Sequence, residues 1–199
     1  MANHELEDLN ITLWRGLYQT YSRFQNCFDQ VLGEQGLTME RYLVLTTVKY
    51  HDAPVRITDV ARWVERSTNS VSMIADRMVK AGLLRRVRDK KDRRVVNVSL
   101  TSKAEDMLEP ANMAAWEFMQ QSMSPLSYED KRTLAGLFKM MNHKLLECLN
   151  PGADVEEMLK DDSKEQAYLM KQWHKQPWLA TPEAKKVRGS RDASPEQWP

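Results

Sequence analysis

The stretch from Thr68 to Thr101, TNSVSMIADRMVKAGLLRRVRDKKDRRVVNVSLT, contains two successive structural patterns. In its first half, apolar residues recur at steps of three or four, which predicts an amphipathic helix. Gly82 fits the left-handed conformation that commonly ends such a helix. Two strand-like runs follow and flank a tip rich in lysine and arginine. The stretch therefore predicts a helix followed by a basic β-hairpin.

The predicted helix has two chemically different faces. One face is apolar and suits a protein core: Val71, Ile74, Ala75, Met78 and Val79. The opposite face is polar apart from one methionine: Asn69, Ser72, Met73, Asp76, Arg77 and Lys80. The helix begins with the small hydrogen-bonding side chains of Thr68, Asn69 and Ser70. Side chains of this kind can approach base edges and phosphates closely, and a helix N-terminus itself favours a phosphate oxygen.

The net charge of +1 conceals a strong asymmetry along the 199 residues. Residues 55–103 carry 13 Lys and Arg against 5 Asp and Glu, a net charge of +8. Residues 1–54, 104–149 and 150–199 carry −3, −3 and −1. A basic segment this localised favours a polyanionic partner such as double-stranded DNA. The alternative is an ordinary solvated charged face.

The hairpin carries its charge at the tip. Val96 and Val98 alternate with Asn97 and Ser99 in the second strand-like run. The cations are Arg88, Lys90, Lys91, Arg93 and Arg94. They could simply keep an exposed sheet from pairing with other edges. Beside a helix-turn-helix, we favour a wing that follows the DNA backbone and places an arginine in the minor groove.

Three helices are predicted before the hairpin helix. Apolar spacing predicts one long helix over about residues 5–32. Thr38 can cap a second helix that extends to His51, and Thr58 can cap a short third one. After a tight turn, Ser67 or Thr68 begins the hairpin helix. Two short helices joined in this way form a helix-turn-helix.

Two further helices and a tail are predicted after the hairpin. Thr101 can cap a helix to about residue 121, with a kink or a local break at Pro110. Ser127 can cap the next helix, in which Asp130 completes a capping box. The apolar stripe of that helix is Leu134, Leu137, Phe138, Met141, Leu145 and Leu149. Another helix is expected over about residues 153–175, and from Gln176 the composition favours extended or disordered chain.

This order of parts resembles the MarR family of winged-helix transcriptional regulators, over roughly residues 5–149. The entry to the helix-turn-helix matches at Ile57, Val60 and Ala61. The recognition helix matches at Val71, Ser72, Ile74, Arg77, Met78, Gly82 and Leu83. The wing matches at Asp92, Arg93 and Arg94, followed by Val96, Val98, Leu100 and Thr101.

The resemblance implies a mainly α fold with a small β-hairpin wing, in which long N- and C-terminal helices form a homodimer. The expected parts are an N-terminal dimerisation helix (1–36), a winged helix-turn-helix lobe (37–101), C-terminal dimerisation helices (102–150) and a tail (151–199). It further implies a repressor that binds a pseudo-palindromic operator and is released by a small aromatic or phenolic effector. Arg94 would be the minor-groove arginine, and Asp92 would orient a neighbouring arginine. DNA contacts would come from Thr68, Asn69, Ser70, Ser72, Met73, Arg77, Arg88, Lys90, Lys91 and Arg93.

The resemblance leaves the control input and the tail open. Aromatic residues that could line an effector cleft are Trp14, Tyr18, Tyr21, Tyr42, Trp63 and Trp116. The alternative, which we favour for each of them, is that they are core and interface residues. Thiol-based sensing through Cys27 is a further alternative, and so is a protein-interaction adaptor that works through the Trp-rich tail.

No pattern of an enzyme, a metal site or a cofactor site is recognised in the sequence. The four histidines are scattered, and the two cysteines fit no metal-ligand spacing. No apolar run is long enough to span a membrane, and the N-terminus lacks the pattern of a signal peptide. We therefore expect a cytoplasmic, non-enzymatic protein without a cofactor.

Overall fold

A computed structural model describes residues 2–51, 54–88 and 95–180, and the chain forms two compact units, Met1–Ala115 and Trp116–Pro199. The first unit contains α1 (Ala2–Gly33), α2 (Met39–Tyr50), β1 (Val55–Arg56), α3 (Ile57–Trp63), α4 (Thr68–Lys80), β2 (Leu84–Arg88), β3 (Val96–Leu100) and most of α5 (Ser102–Ser122). The second contains the end of α5, α6 (Tyr128–Leu149), α7 (Val155–His174) and a 3-10 helix, Pro177–Ala180. The prediction of a mainly helical fold with a small β wing is confirmed.

The two strands predicted for the hairpin belong to a three-stranded antiparallel sheet with the order β1-β3-β2. Val98 of the central strand lies opposite Val55 of β1 and Arg86 of β2. Because β3 is paired on both sides, its polar residues Asn97 and Ser99 are buried as well as Val98. The alternating sequence of β3 predicted a strand, but the burial of its polar residues depends on the additional pairing with β1.

The beginning of α3 differs from the prediction. Thr58 was expected to cap this helix, but the helix already begins at Ile57 and its N-cap is Arg56, which makes no side-chain capping hydrogen bond. The reason is the pairing of Arg56 with Asn97, which holds the chain extended up to the residue before the helix. By contrast, the predicted cap of α2 is confirmed, because the Thr38 hydroxyl accepts a hydrogen bond from the Arg41 amide.

Thr101 connects the sheet to α5. Its hydroxyl accepts a hydrogen bond from the Ala104 amide at 3.2 Å, as expected of a cap. The helix then continues through Pro110 to Ser122 without the local break that the sequence allowed. Leu108 and Ala111 on either side of the proline are both buried. Packing of these residues holds the helix together where one backbone hydrogen bond is lost.

A buried polar network joins α2 to α5 within the first unit. The Tyr42 hydroxyl donates to the Asn112 side-chain oxygen at 3.0 Å, and the Asn112 amide donates to the Tyr50 hydroxyl at 3.0 Å. Burial raises the pKa of the Tyr50 hydroxyl to about 12, although the hydrogen bond from Asn112 acts in the opposite direction. Burial also raises the pKa of Tyr42 far above its ordinary value. Both hydroxyls therefore stay neutral at physiological pH.

The second unit is built from α6 and α7. The predicted capping box of α6 is present: the Ser127 hydroxyl accepts from the Asp130 amide, and the Asp130 carboxylate accepts from the Ser127 amide. The Ser127 hydroxyl also donates to the Asp130 carboxylate, and this bond, together with the one from the Ser127 amide, lowers the pKa of Asp130. The predicted helix over 153–175 is confirmed as α7, capped by Asp154.

The chain after α7 is not extended at first, contrary to the prediction. Residues Pro177–Ala180 form a 3-10 helix in which Leu179 is buried. Burial of this leucine supplies the free energy that a composition-based prediction does not include. The tail beyond residue 180 lies outside the described residues. Within the described part of the chain, no helix has the length and apolarity needed to cross a membrane.

We predict that Asn112→Leu destabilises the protein by about 2 kcal/mol or more, because it removes the side-chain hydrogen bonds that Asn112 makes with two buried tyrosine hydroxyls. Urea unfolding followed by circular dichroism measures the change. Gln120→Leu, an exposed position on the same helix, is the matched control. Adding Tyr42→Phe and Tyr50→Phe to Asn112→Leu should recover part of the loss. A single Asn112→Leu variant as stable as the control would show that the network contributes little.

Candidate nucleic-acid interface

The N-terminus of α4 is held by a serine cap. The Ser67 hydroxyl accepts a hydrogen bond from the Ser70 amide at 3.1 Å and lies 2.8 Å from the Ser70 hydroxyl. Both serines are exposed, so the first turn of the helix is accessible from outside. A capped, exposed helix N-terminus with a partial positive charge is suited to a phosphate or a base edge.

The two faces of α4 point in opposite directions, as the sequence indicated. Val71, Ala75 and Met78 are completely inaccessible, and Ile74 and Val79 are half-buried. Of the α4 residues assigned to DNA contact, Ser72 is half-buried. The others are exposed: Thr68, Asn69, Ser70, Met73 and Arg77. Met73 is 58% exposed, which is unusual for a methionine in a well-packed lobe. The structure thus places this set together on one accessible face.

An ion pair connects the exposed face of α4 to the sheet. The Arg86 guanidinium on β2 pairs with the Asp76 carboxylate on α4. Sequence reasoning assigned no role to Arg86. No local pattern reveals this pair, because the two residues are ten positions apart and belong to different elements. The pair neutralises the carboxylate that would otherwise repel a phosphate on this face.

The base of the wing is fixed at both ends. Gly82 has a φ of +72°, so it adopts the left-handed conformation that the sequence predicted. The Thr101 hydroxyl donates to the Gly82 carbonyl at 2.7 Å, and so ties the end of β3 to the start of β2. The Arg85 Nε donates to the Ser99 hydroxyl at 2.7 Å across the two strands. The direction of the hairpin is therefore set at its base, next to the end of α4.

The remaining DNA-contact predictions concern the tip of the wing. Lys90, Lys91, Asp92, Arg93 and Arg94 lie outside the described residues. The side chain of Arg88 is likewise not described, although its backbone ends β2. These assignments stay predictions.

The aromatic residues proposed for an effector cleft occupy different surroundings. Trp14 and Tyr18 stack on each other on the exposed side of α1, with their ring centroids 6.3 Å apart. Tyr42 is buried in the polar network, and Trp63 packs edge-to-face against His51. Trp116 lies half-buried in the second unit.

Tyr21 lines a cavity of about 140 Å³ within the first unit. Other lining residues come from α2, such as Leu43, and from the turn between α3 and α4, such as Val64. The sequence could not locate this cavity, because it is formed by residues from helices far apart in the chain.

The other chemically reactive candidates are dispersed. Cys27 and Cys148 are free and exposed. In the described ranges, no group of three or more His, Cys, Asp or Glu side chains is arranged to hold a metal ion.

Comparison with known proteins gives consistent matches. A sequence model of the MarR family matches residues 37–96. The transcriptional repressor MdtR of Bacillus subtilis is 26% identical over 129 residues, which are 65% of this chain and 80% of MdtR. The organohalide-sensing regulator RdhR, crystallised with 2,4-dichlorophenol, has a TM-score of 0.67 and is 22% identical, covering 72% of this chain and 85% of RdhR. A MarR variant from E. coli, crystallised with operator DNA, has a TM-score of 0.61 and is 20% identical, covering 66% and 96%. At these identities the two structures show the fold alone.

A capped recognition helix with one exposed polar face, followed by a sheet with a basic hairpin, defines a winged helix-turn-helix DNA-binding protein. The family match covers most of this lobe, and the curated and structural relatives are described as transcriptional regulators. The winged helix-turn-helix lobe of this chain therefore matches the lobe of the MarR family, whose members are DNA-binding transcriptional regulators.

We predict that Arg86→Gln weakens DNA binding by about tenfold, because it removes a cation and leaves the Asp76 carboxylate unpaired on the exposed face. Fluorescence anisotropy with a labelled duplex measures the affinity. Stability should change little, since the pair is solvent-exposed. Lys160→Gln on α7 makes the same change in net charge away from α4 and should bind normally. Adding Asp76→Asn to Arg86→Gln should restore part of the affinity. An unchanged affinity for the single variant would remove the ion pair from the interface.

Proposed function

We propose that the chain acts as a homodimer that binds a pseudo-palindromic operator, represses transcription by occluding a promoter, and is released by a small aromatic effector. The exposed face of α4 is the observation that carries this proposal. It lies in the segment 55–103, which holds the positive excess of the chain. Repression is supported by the relative MdtR, whose name describes it as a repressor.

The first support for a dimer is the apolar surface of α1. Leu13, Trp14 and Tyr18 are each more than 60% exposed in the isolated chain. Further exposed apolar residues on this helix are Leu9, Ile11, Leu17 and Tyr21. Contiguous apolar surface of this kind marks an interaction site. A helix of 32 residues gains stability mainly from packing, and a second subunit would supply it.

The second support is the predicted stripe on α6, which is largely exposed. Leu137, Leu145 and Leu149 are 51%, 53% and 76% exposed, and Phe138 and Met141 are exposed as well. Among the described residues, α6 therefore carries an apolar surface that is exposed to solvent. In the proposed dimer, this stripe packs against the partner subunit.

The appended helix α7 does not occupy this stripe. Leu159 of α7 lines a surface groove of the second unit together with Lys139, Met140 and His143 of α6. His143 follows Met141 by two residues, which places the two side chains about 200° apart around the helix. The helix that extends this chain beyond its family pattern thus packs on the side of α6 opposite to the stripe, and a partner could still cover the stripe.

Within this proposal, each part of the chain has a role. Residues 1–36 and 102–150 would form the dimer, residues 37–101 would read DNA, and residues 151–199 would form an appendage. Two copies of α4 would enter successive major grooves about one helical turn, 34–36 Å, apart. Base and phosphate contacts would come from Thr68, Asn69, Ser70, Ser72, Met73 and Arg77.

The wing would contact the neighbouring minor groove. Arg94 would enter the groove, where the negative potential of A·T tracts attracts a guanidinium. Asp92 would orient an adjacent arginine, and phosphate contacts would come from Arg88, Lys90, Lys91 and Arg93. The basic composition of this segment and the resemblance of its sequence to the family wing support this assignment.

The cavity lined by Tyr21 is our candidate for the effector site. It adjoins α1, α2 and the turn before α4, so a ligand there would contact both a proposed dimerisation helix and the reading helix-turn-helix. The structural neighbour RdhR was crystallised with 2,4-dichlorophenol, which supports the proposal of a single-ring aromatic effector. Binding that favours one arrangement of these helices would shift the affinity for DNA.

We predict that Arg94→Ala weakens operator binding at least tenfold and leaves the subunit assembly unchanged in sedimentation. Lys91→Ala is the matched comparison, because it also removes one cation from the wing. Because Lys91 is a proposed phosphate contact, the Lys91→Ala variant should bind all sequences more weakly, and the salt slope of its binding should fall by about one. Arg94→Ala should instead lose discrimination for A·T-rich flanks. Wild-type affinity of the Arg94→Ala variant would eliminate the wing from the mechanism.

A further inference from the structure

The cavity that we assign to the effector has a size that limits its ligand. Its volume of about 140 Å³ is close to that of an engineered protein cavity, about 150 Å³, that binds benzene. Leu43, Val44 and Val64 provide apolar lining, and the ring of Tyr21 provides an aromatic surface. These dimensions suit a single aromatic ring with a short substituent.

The charges of the residues that line the cavity do not sum to zero. Glu40, Glu65 and Arg66 line it, which gives two carboxylates and one guanidinium. The guanidinium of Arg66 is already engaged, since it lies 3.7 Å from the Glu40 carboxylate. Within the described part of the chain, Glu65 has no salt-bridge partner. The cavity therefore presents one uncompensated negative charge.

Glu65 holds its position in an unusual backbone conformation. Its φ is +50°, the left-handed region that favours glycine over residues with a side chain. It lies within the tight turn between α3 and α4, where its amide donates to the Arg62 carbonyl. The carboxylate is therefore carried by a turn whose geometry is fixed by hydrogen bonds, next to the two helices that form the helix-turn-helix.

We propose that the ligand of this cavity is a single aromatic ring that bears a positively charged nitrogen. This inference rests on the proposed effector site and adds the charge class of the ligand. The ammonium group would lie by the Glu65 and Glu40 carboxylates, and the ring would contact Leu43 and Val64. The face of Tyr21 attracts a cation through its quadrupole, so it favours the same charge. A carboxylate ligand would have to displace Glu40 from Arg66 and would still face Glu65.

The position of the ion pair suggests how binding would reach the DNA interface. Arg66 directly precedes Ser67, whose hydroxyl caps α4. A cation that binds Glu40 weakens the hold of that carboxylate on Arg66. The electrostatic surroundings of Arg66, the residue next to the cap of the recognition helix, would thereby change. Ligand affinity and DNA affinity would then depend on each other reciprocally.

Isothermal titration of the full-length chain without DNA tests the inference with three single-ring probes. Benzylammonium carries a positive charge at pH 7, benzyl alcohol is neutral, and benzoate is negative. We expect benzylammonium to bind about fivefold more tightly than benzyl alcohol, the size of effect that one solvent-exposed ion pair contributes. Benzoate should bind most weakly.

Variants identify the group responsible. Glu65→Gln should reduce benzylammonium binding to about the level of benzyl alcohol and leave benzyl alcohol itself within twofold. Glu34→Gln, an exposed carboxylate in the turn after α1 that does not line the cavity, is the matched control and should change neither.

The other outcomes separate the two proposals. If benzyl alcohol or benzoate binds as tightly as benzylammonium, the charge inference is wrong and the cavity is retained as an aromatic site. If benzylammonium binds more tightly but Glu65→Gln leaves its affinity unchanged, the assignment of the charge to this cavity is wrong. If none of the three probes binds at a concentration of about 10 mM, both the charge inference and the proposed effector site are overturned.

Discussion

Burial of one face of α4 is the constraint on which the DNA-reading surface depends. Val71, Ala75 and Met78 are completely inaccessible, and their spacing on the helix leaves only one rotation of α4 compatible with this packing. That rotation turns Asn69, Met73 and the other polar-face residues outward. Rotation by one residue, about 100°, would expose part of the apolar face and bury Asp76 or Arg77. The recognition surface therefore follows from the core, since the same helix supplies both.

The position of the wing follows from the end of the same helix. Gly82 allows the chain to reverse at the C-terminus of α4, and Thr101 holds the two ends of the hairpin together through the Gly82 carbonyl. The pair between Asp76 and Arg86 adds a direct connection between helix and sheet. Helix and hairpin thus form one rigid element at its base. Because α4 and the base of the hairpin are held together, a change in the orientation of α4 also moves the hairpin. Control of DNA binding by an effector would require such a coupled movement.

Local sequence patterns predicted the helices well, because each has its own periodicity and caps. The long α1, the Thr38 cap, the Ser127 capping box and the Gly82 turn were all predicted from residues within a few positions of one another. The features that were missed depend on contacts between distant residues. Two-residue β1 has no periodicity to detect, yet its pairing with β3 buries Asn97 and moves the start of α3.

The same distinction applies to the candidate site. The exposed face of α4 was predictable from its spacing, whereas Arg86 and the cavity at Tyr21 depend on tertiary packing. The aromatic residues show this limit most clearly. The family resemblance and residue type grouped Trp14, Tyr42 and Trp63 as candidates for an effector cleft. The structure places them on an exposed helix face, in a buried network and against His51. Residue type therefore identified candidates without determining which of them share a site.

Selection of bound sequences from a random duplex pool, with the full-length protein, is the most direct test of the central claim that two copies of α4 read DNA at a fixed separation. The expected result is a pseudo-palindrome whose half-site centres lie about 10 base pairs apart, close to one helical turn. Recovery of a single half-site without a symmetric partner, or of half-sites with no preferred spacing, would contradict the claim.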